Sequence, residues 1–332
     1  MKAAVIGSGG WGTALAICLC KNGHDTVLWS HDVQKVQAMV KSRENNMLPG
    51  VPLPESLGIT AIVSCVEDCD LVVFATPSVY LRSVARQMAP YLPKDAVLVS
   101  ATKGIEPFTL NRMSQIVSEE AGMPVLTLTG PSHAEEVARN VPTACLIAGE
   151  NAQNTVLVQD AFMSDTFRIY TSPDIVGAEL GGALKNVIAL CAGVLDGLVY
   201  GDNAKAMLIT RGLSEIARLG VALGGRRETF AGLAGIGDLV VTCTSVHSRN
   251  YRAGVLIGKG AAPRQALEQV GAVVEGYYAA KSAMELAEKL QVEMPIIQGA
   301  YQVLYEGRSP RQVVQDLLLR QPRPEPEDIG WL

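Results

Sequence analysis

Short, wholly apolar runs alternate with longer amphipathic ones through the first half of the chain. Lys2-Ala3-Ala4-Val5-Ile6, Thr26-Val27-Leu28-Trp29, Leu71-Val72-Val73-Phe74-Ala75, Ala96-Val97-Leu98-Val99-Ser100, Val125-Leu126-Thr127-Leu128 and Ala144-Cys145-Leu146-Ile147 all have strand length. Continuous apolar runs, as opposed to alternating ones, indicate strands covered on both faces, as in a parallel sheet flanked by helices. Between them the spacing predicts a helix from about Asp32 to Arg43, with Asp32 as N-cap and Val33, Val36, Gln37 and Val40 on one face. A second is predicted from Ser78 to Tyr91, capped by Ser78, with Val84 and Met88 turned inward. Three prolines between Leu48 and Pro54 exclude helix there and leave a loop. Strand and helix repeat in this way to about residue 170, which describes a doubly wound sheet. From Ile175 the period becomes helical: Leu184 to Val199, Ala204 to Leu223, Tyr277 to Leu290, Pro295 to Tyr305 and Pro310 to Leu319.

The first strand runs straight into Gly7-Ser8-Gly9-Gly10-Trp11-Gly12 and then into an apolar helix, Thr13 to Ile17. Glycines at 7, 9 and 12 satisfy G-x-G-x-x-G between a strand and a helix, the context in which the pattern binds dinucleotides. Gly7 permits the tight turn, Gly9 lets the backbone approach a pyrophosphate and Gly12 lets the helix pack on the strand. The helix N-terminal amides are then aimed at the phosphates. The fold class is therefore α/β, an N-terminal Rossmann-like doubly wound, mostly parallel sheet followed by a C-terminal all-α domain. The division is placed at 1–176 for dinucleotide binding and 177–332 for a helical substrate and catalytic domain, with the cleft between them as the active site. Residues 3 to 20 carry no Asp, Glu, Lys or Arg, as in a signal peptide, but four glycines interrupt the run and a single lysine precedes it, which argues against export.

A chain of 332 residues with 48% hydrophobic and 18% charged residues has the composition of a globular protein. Its net charge of −5 gives no support for a nucleic-acid or membrane partner, so an anionic substrate needs a local cluster of cations. Seven cysteines (18, 20, 65, 69, 145, 191 and 243) are odd in number and form no C-x-x-C pair, which suggests reduced thiols in the cytoplasm. Four histidines show no ligand spacing, and no metal is expected. The proline- and acid-rich stretch Gln321 to Asp328 is expected to fray.

Lys103, in Thr102-Lys103-Gly104, follows a strand and so falls where ligands bind in this architecture, although a solvated loop lysine has the same pattern. Gly130-Pro131-Ser132-His133 follows the next strand and fits either the cleft or an ordinary turn capped by Ser132. Lys185 is the one charged residue between Glu179 and Asp196, with Gly181 and Gly182 at i−4 and i−3 and Ile188 and Ala189 at i+3 and i+4. That small apolar face is open enough for a ligand, and burial near a second cation such as Lys103 would depress the ammonium and make it a usable general base. Asp238, in the apolar Gly235-Ile236-Gly237-Asp238-Leu239, needs a partner, for which Lys185 is the natural choice. Ser248-Arg249-Asn250 gathers donors suited to a phosphate, or forms a solvated turn.

In order along the chain, these segments resemble the bacterial-type NAD(P)-dependent glycerol-3-phosphate dehydrogenases. The resemblance runs through residues 7–16, 101–104, 130–132, Leu-Lys-Asn-Val-Ile-Ala at 184–189, Gly-Asp-Leu-Val at 237–240, 248–250 and Val-Glu-Gly at 274–276. It implies reversible hydride transfer between the nicotinamide and dihydroxyacetone phosphate, giving sn-glycerol 3-phosphate for glycerophospholipid synthesis. It further implies that Lys185 exchanges the C2 hydroxyl proton, that Asp238 orients it, and that Lys103 contacts substrate and cofactor. Gly130, Ser132, Ser248, Arg249 and Asn250 would surround the substrate. Gly7, Gly9, Gly10, Trp11, Gly12, His31, Lys103, Ala134, Arg249, Val273 and Glu275 would meet the dinucleotide, and the protein would be a homodimer.

An NAD enzyme normally carries an acid about 20 residues past the loop, at the end of the second strand. Ser30-His31-Asp32 stands there, and by the register of the resemblance His31 faces the ribose while Asp32 caps the next helix. NAD and NADP both remain open. A dehydrogenase of β-hydroxyacids or of ketopantoate shares the architecture and a catalytic lysine, but Lys103 and Ser248-Arg249-Asn250 suit a phosphate better than a lone carboxylate. A dinucleotide-sensing regulator would not need Lys185 and Asp238.

Overall fold

The structure is a computed structural model in which residues 1–322, 324 and 325 are described. Of the stretch expected to fray, 323 and 326–328 lie outside the described residues. The first half runs β1 (Lys2–Ile6), α1 (Gly10–Lys21), β2 (Asp25–Trp29), α2 (Val33–Ser42), β3 (Gly58–Thr60), β4 (Leu71–Phe74), α3 (Ser78–Met88), β5 (Val97–Ser100), α4 (Met113–Ala121), β6 (Val125–Thr129), α5 (Ala134–Ala138), β7 (Thr143–Ala148), α6 (Ala152–Phe162) and β8 (Phe167–Ser172). Among the described residues these strands form one eight-stranded sheet of order β3-β2-β1-β4-β5-β6-β7-β8. The order reverses between β1 and β4, which opens the crevice where ligands of doubly wound sheets bind.

Both faces of the sheet are covered, which is why its strands read as unbroken apolar runs. Ala3 and Val5 join side chains of α1, α2, α5 and α6 on one face, while Ala4 and Ile6 join those of α3 and α4 on the other. The sheet departs from an all-parallel one at β7, which pairs antiparallel with β6, Leu128 opposite Ile147. Antiparallel strands bury as continuously as parallel ones when helices cover them, so apolar content carried no sign of direction. β3 and β8 were not predicted; β3 has three residues, and β8 alternates buried and exposed positions at the sheet's edge.

Two helix expectations need correcting. In α2, Asp32 does cap the helix, but Val36 and Met39 face the sheet, while Val33 and Val40 are 56% and 50% exposed. An i, i+3 pair suffices to dock so short a helix, and the remaining valines are left outside. In α3, Ser78 is the first helical residue, not a local cap; its amide and hydroxyl both donate to Glu275, at 3.1 and 2.5 Å, far along the chain.

The helical half comprises α7 (Ile175–Gly197), α8 (Asp202–Ala222), α9 (Arg227–Phe230), a π-helical turn (Leu233–Gly237), α10 (Asp238–Thr244), α11 (Arg249–Gly258), α12 (Pro263–Val270), α13 (Glu275–Leu290), α14 (Pro295–Tyr305) and α15 (Pro310–Leu318). α7 begins at Ile175, well before the predicted Leu184, because Asp174 caps it by accepting from the Gly177 amide at 2.9 Å. It is long and apolar enough to cross a membrane, but 83% of its most apolar stretch is buried inside the fold, which marks it as the central core helix. Glu215 on α8 accepts the first amides of α14, from Ile296 at 2.8 Å and Ile297 at 3.2 Å.

α7 and α11 meet backbone to backbone. A Cβ on Gly193 would stand 2.0 Å from the Tyr251 carbonyl oxygen, and one on Gly254 would stand 2.0 Å from that of Leu190. Gly197 and Gly258 repeat the contact one turn later, so the two helices run in step with four glycines between them. Alanine is the better helix former by about 1 kcal/mol, yet no side chain here can yield to an added methyl. Gly193→Ala is therefore expected to lower the unfolding free energy by about 2 kcal/mol in urea titration. Unchanged or increased stability would contradict this packing.

Candidate active site

The carboxyl ends of β1, β2, β4, β5 and β6 meet the amino-terminal ends of α1, α10 and α11. At the glycine loop, Gly7 has φ +123°, and a Cβ there would stand 2.7 Å from the Ala75 carbonyl oxygen. Gly12 allows no Cβ, because the Gly7 carbonyl oxygen would lie 2.0 Å away. Above Gly9 nothing stands within 4 Å, and α1 starts at Gly10 with no side chain bonded to its first amides. The open backbone and the uncapped helix N-terminus fit the pyrophosphate of a dinucleotide. Beside the loop, the Thr76 hydroxyl is buried without a partner.

Three charged side chains converge from both halves of the chain. Lys103 follows β5, Lys185 lies in the middle of α7 and Asp238 opens α10. Asp238 is buried and holds both cations, one per oxygen: Lys103 Nζ donates to Oδ2 at 2.7 Å, and Lys185 Nζ donates to Oδ1. Lys103 also donates to the Gly130 carbonyl at 2.9 Å and to Ser132 Oγ at 3.3 Å. Lys185 donates to Thr242 Oγ1 at 2.6 Å, and that hydroxyl donates in turn to the Asp238 carbonyl at 2.6 Å. Thr242 thus offers Lys185 a lone pair and holds the amine on a defined side of the carboxylate.

Burial pushes the Lys185 ammonium down to about 8; Asp238 opposes this and the Lys103 charge adds to it. Two lysines against one carboxylate leave a surplus positive charge in an acidic protein, the local cluster that an anionic substrate needs. The open face expected beside Lys185 is filled: Gly181 lies against the Ala234 carbonyl, and Gly182 against Thr129 Oγ1 and the stem of Lys103. These glycines let α7 approach the sheet and bring Lys185 to Lys103; they do not admit a ligand.

The remaining candidates divide. Gly130 and Ser132 stand at Lys103, and Ser132 Oγ donates to the Gly130 carbonyl at 2.9 Å. Ser248 is the N-cap of α11, accepting from the Tyr251 amide at 3.2 Å. Asn250 is buried, donating to Asn186 Oδ1 at 2.9 Å and accepting from the Gly276 amide at 2.8 Å. Arg249 is exposed between them, close enough for its charge to act on Glu275. The expected clamp is thus a helix N-terminus with one exposed guanidinium, tied by Asn250 to Asn186, the residue after Lys185. Ala134 lies beside Gly10, His31 is exposed past β2, and Val273 sits in the turn before α13. The Trp11 indole turns inward, edge-on to Phe167 at 6.5 Å, and leaves its backbone to the loop. Glu275 is engaged with Ser78, and desolvation raises its carboxyl.

Sequence reasoning missed Thr242, and gave no separate role to Asn186 and His133 within segments it singled out. Thr242 lies four residues past Asp238, one helical turn on, a spacing that signals a shared face once α10 is recognised. His133 stacks edge-on to His247 across the cleft at 6.1 Å, and burial and the Lys185 charge both lower it.

Residues 2–155 match the family described as NAD-dependent glycerol-3-phosphate dehydrogenase N-terminus, and residues 174–315 match its C-terminus. The chain belongs to the NAD-dependent glycerol-3-phosphate dehydrogenase family. It is 48% identical over 325 residues to the glycerol-3-phosphate dehydrogenase [NAD(P)+] of Fusobacterium nucleatum, covering 96% of this chain and 97% of that one. It is 49% identical to that of Pelotomaculum thermopropionicum, covering 99% and 96%. The crystal structure of glycerol-3-phosphate dehydrogenase from Coxiella burnetii superposes with a TM-score of 0.92 at 38% identity, over 96% of this chain and 99% of that one.

Removing one member of a buried ion pair costs about 3–5 kcal/mol, because the other charge stays buried and unpaired. Asp238→Asn in this family member leaves two ammonium groups facing each other. It is expected to destabilise the fold by about 3 kcal/mol at pH 7. Without Asp238 the Lys185 pKa falls further, so the loss should shrink above about pH 9, where the amine is neutral. Denaturant titrations at the two pH values measure this; an equal loss at both would contradict it.

Proposed function

We propose that the chain catalyses reversible hydride transfer between NAD(P)H and dihydroxyacetone phosphate, giving sn-glycerol 3-phosphate. The observation that carries the proposal is the single buried carboxylate of Asp238 shared by two lysines, one from each half of the chain. Residues 1–176 bind the dinucleotide and 177–332 supply the substrate clamp. The bound nicotinamide supplies or accepts the hydride at C2 of the substrate.

In the oxidative direction neutral Lys185 takes the C2 hydroxyl proton while the hydride leaves the same carbon, and a carbonyl remains. In reverse, the Lys185 ammonium delivers that proton to the oxygen as the hydride arrives. Asp238 and Thr242 hold the amine in place, and Lys103, held by the other oxygen of the shared carboxylate, donates to the substrate oxygen. The substrate phosphate lies at the N-terminus of α11, where free amides, the helix dipole and Arg249 meet it. The enzyme works as a homodimer in the cytoplasm, a compartment supported by seven unpaired cysteines. Its product carries the glycerol backbone of the glycerophospholipids.

The sign of the pH dependence follows from the depressed lysine. Oxidation needs the neutral amine, so its rate should rise as the pH passes through about 8. Reduction needs the ammonium, so its rate should fall over the same interval. Initial rates in both directions with NADH and NADPH measure the pair of profiles. Lys185→Ala should lower kcat by about 10²–10⁴-fold in both directions, with cofactor dissociation constants unchanged. No turnover of dihydroxyacetone phosphate with either cofactor overturns the function, and retained turnover in Lys185→Ala removes the lysine from its role.

A further inference from the structure

The end of β2 is where a Rossmann-like fold reads the adenine ribose: an acid there receives the 2′-hydroxyl of NAD, and a cation accommodates the 2′-phosphate of NADP. The acid nearest that place, Asp32, has one carboxylate oxygen committed to a helix cap. Ser30, directly after β2, is buried, and its hydroxyl is bonded to Ser8 Oγ at 2.8 Å across the glycine loop. Asp32 is drawn into its own helix, where Oδ1 accepts the Lys35 amide at 3.0 Å as the N-cap of α2. His31 is exposed.

Lys35, one turn into α2, reaches back over the loop. Its Nζ donates to the Ser8 carbonyl at 2.9 Å, and Ser8 is the second residue of the G-x-G-x-x-G segment. The Ser8 carbonyl already accepts from Asn45 Nδ2 at 3.0 Å, so the loop is anchored without Lys35. An ammonium has three donors and this contact uses one, which leaves donors for a ligand at the loop. The half-buried stem brings a desolvated cation to the junction of loop and β2, and burial lowers its pKa against the opposing charge of Asp32. The contact with Ser8 turns the ammonium toward the loop backbone and away from bulk water, where its remaining donors face an anion bound at the loop.

We propose that Lys35 is the cofactor-selecting residue of this enzyme, holding the 2′-phosphate of NADP(H) at the Ser8–Ser30 end of the glycine loop. This rests on the proposed use of a nicotinamide dinucleotide. It moves the choice between the two cofactors from His31 to a residue that glycine-motif spacing does not mark. Asp32, kept at the cap, opposes the 2′-phosphate only in part, so NAD(H) remains a weaker alternative.

Equilibrium binding by calorimetry tests this without turnover, using NADP+, NAD+, adenosine 2′,5′-bisphosphate and adenosine 5′-monophosphate on the native protein, Lys35→Met and Lys35→Arg. The native protein should bind each 2′-phosphorylated ligand at least tenfold more tightly than its counterpart, with a preference that weakens as salt is raised. Lys35→Met should erase that ratio while NAD+ and adenosine 5′-monophosphate keep their affinities within twofold, and Lys35→Arg should retain it. If Lys35→Met weakens all four ligands alike, the lysine is a brace for the loop and the proposal is overturned. A native protein without preference overturns it as well. If no ligand binds the native protein, the dinucleotide reading itself fails, an outcome distinct from both.

Discussion

One carboxylate serving two ammonium groups is the constraint on which this structure depends. Asp238 sits in a wall of α10 that excludes water, where an unpaired charge would cost several kcal/mol. It is satisfied by one lysine from the loop after β5 and another from the centre of α7. Lys185 lies with Asp238 in the helical half, so Lys103 reaches the carboxylate only where the sheet's carboxyl edge closes on that half. The geometry of the three charges and the docking of the two halves are therefore set by shared contacts.

Other carboxylates reinforce that docking. Glu275, at the start of α13, accepts the first amide and hydroxyl of α3, and Glu179 in α7 accepts the amide and hydroxyl of Ser114 in α4, at 2.7 and 2.6 Å, with Arg112 alongside. In each case a helix N-terminus in the sheet half is capped by an acid from the helical half. The partial positive charge of the helix end and the negative side chain attract, and buried amides that would otherwise lack acceptors find them. On the other side of α7, the glycine contacts with α11 fix where Ser248, Arg249 and Asn250 stand relative to Lys185. The distance between Lys185 and Ser248-Arg249-Asn250 is thereby set by backbone contact, which has little room to relax.

Much of this was legible in the sequence because the relevant signals are local. The glycine loop between a strand and a helix announced the dinucleotide half, and a lone lysine in an apolar helix and a lone aspartate in a glycine-rich turn each implied a missing partner. What could not be read was long-range. Gly181 and Gly182 looked like space for a ligand and are instead the surfaces on which α7 meets Ala234 and Thr129. Ser78 looked like a local cap and is held by a residue nearly 200 positions away. Asn250, read from its neighbours as a phosphate donor, also ties α11 to the distant Asn186 and Gly276, with one amide hydrogen left over. The direction of β7 left no mark in its composition either, because strands buried on both faces are alike whichever way they run.

The central claim is that Lys185 exchanges protons near neutral pH because burial and Lys103 disfavour its charge more than Asp238 favours it. Nuclear magnetic resonance titration of isotopically labelled Lys185 Nζ reads this directly in the native protein, Lys103→Met and Asp238→Asn. The native midpoint should lie at about 8, move up when the Lys103 charge is removed and move down when the Asp238 charge is removed. A native midpoint at the ordinary lysine value of 10.5, or one that neither substitution moves, would contradict the account.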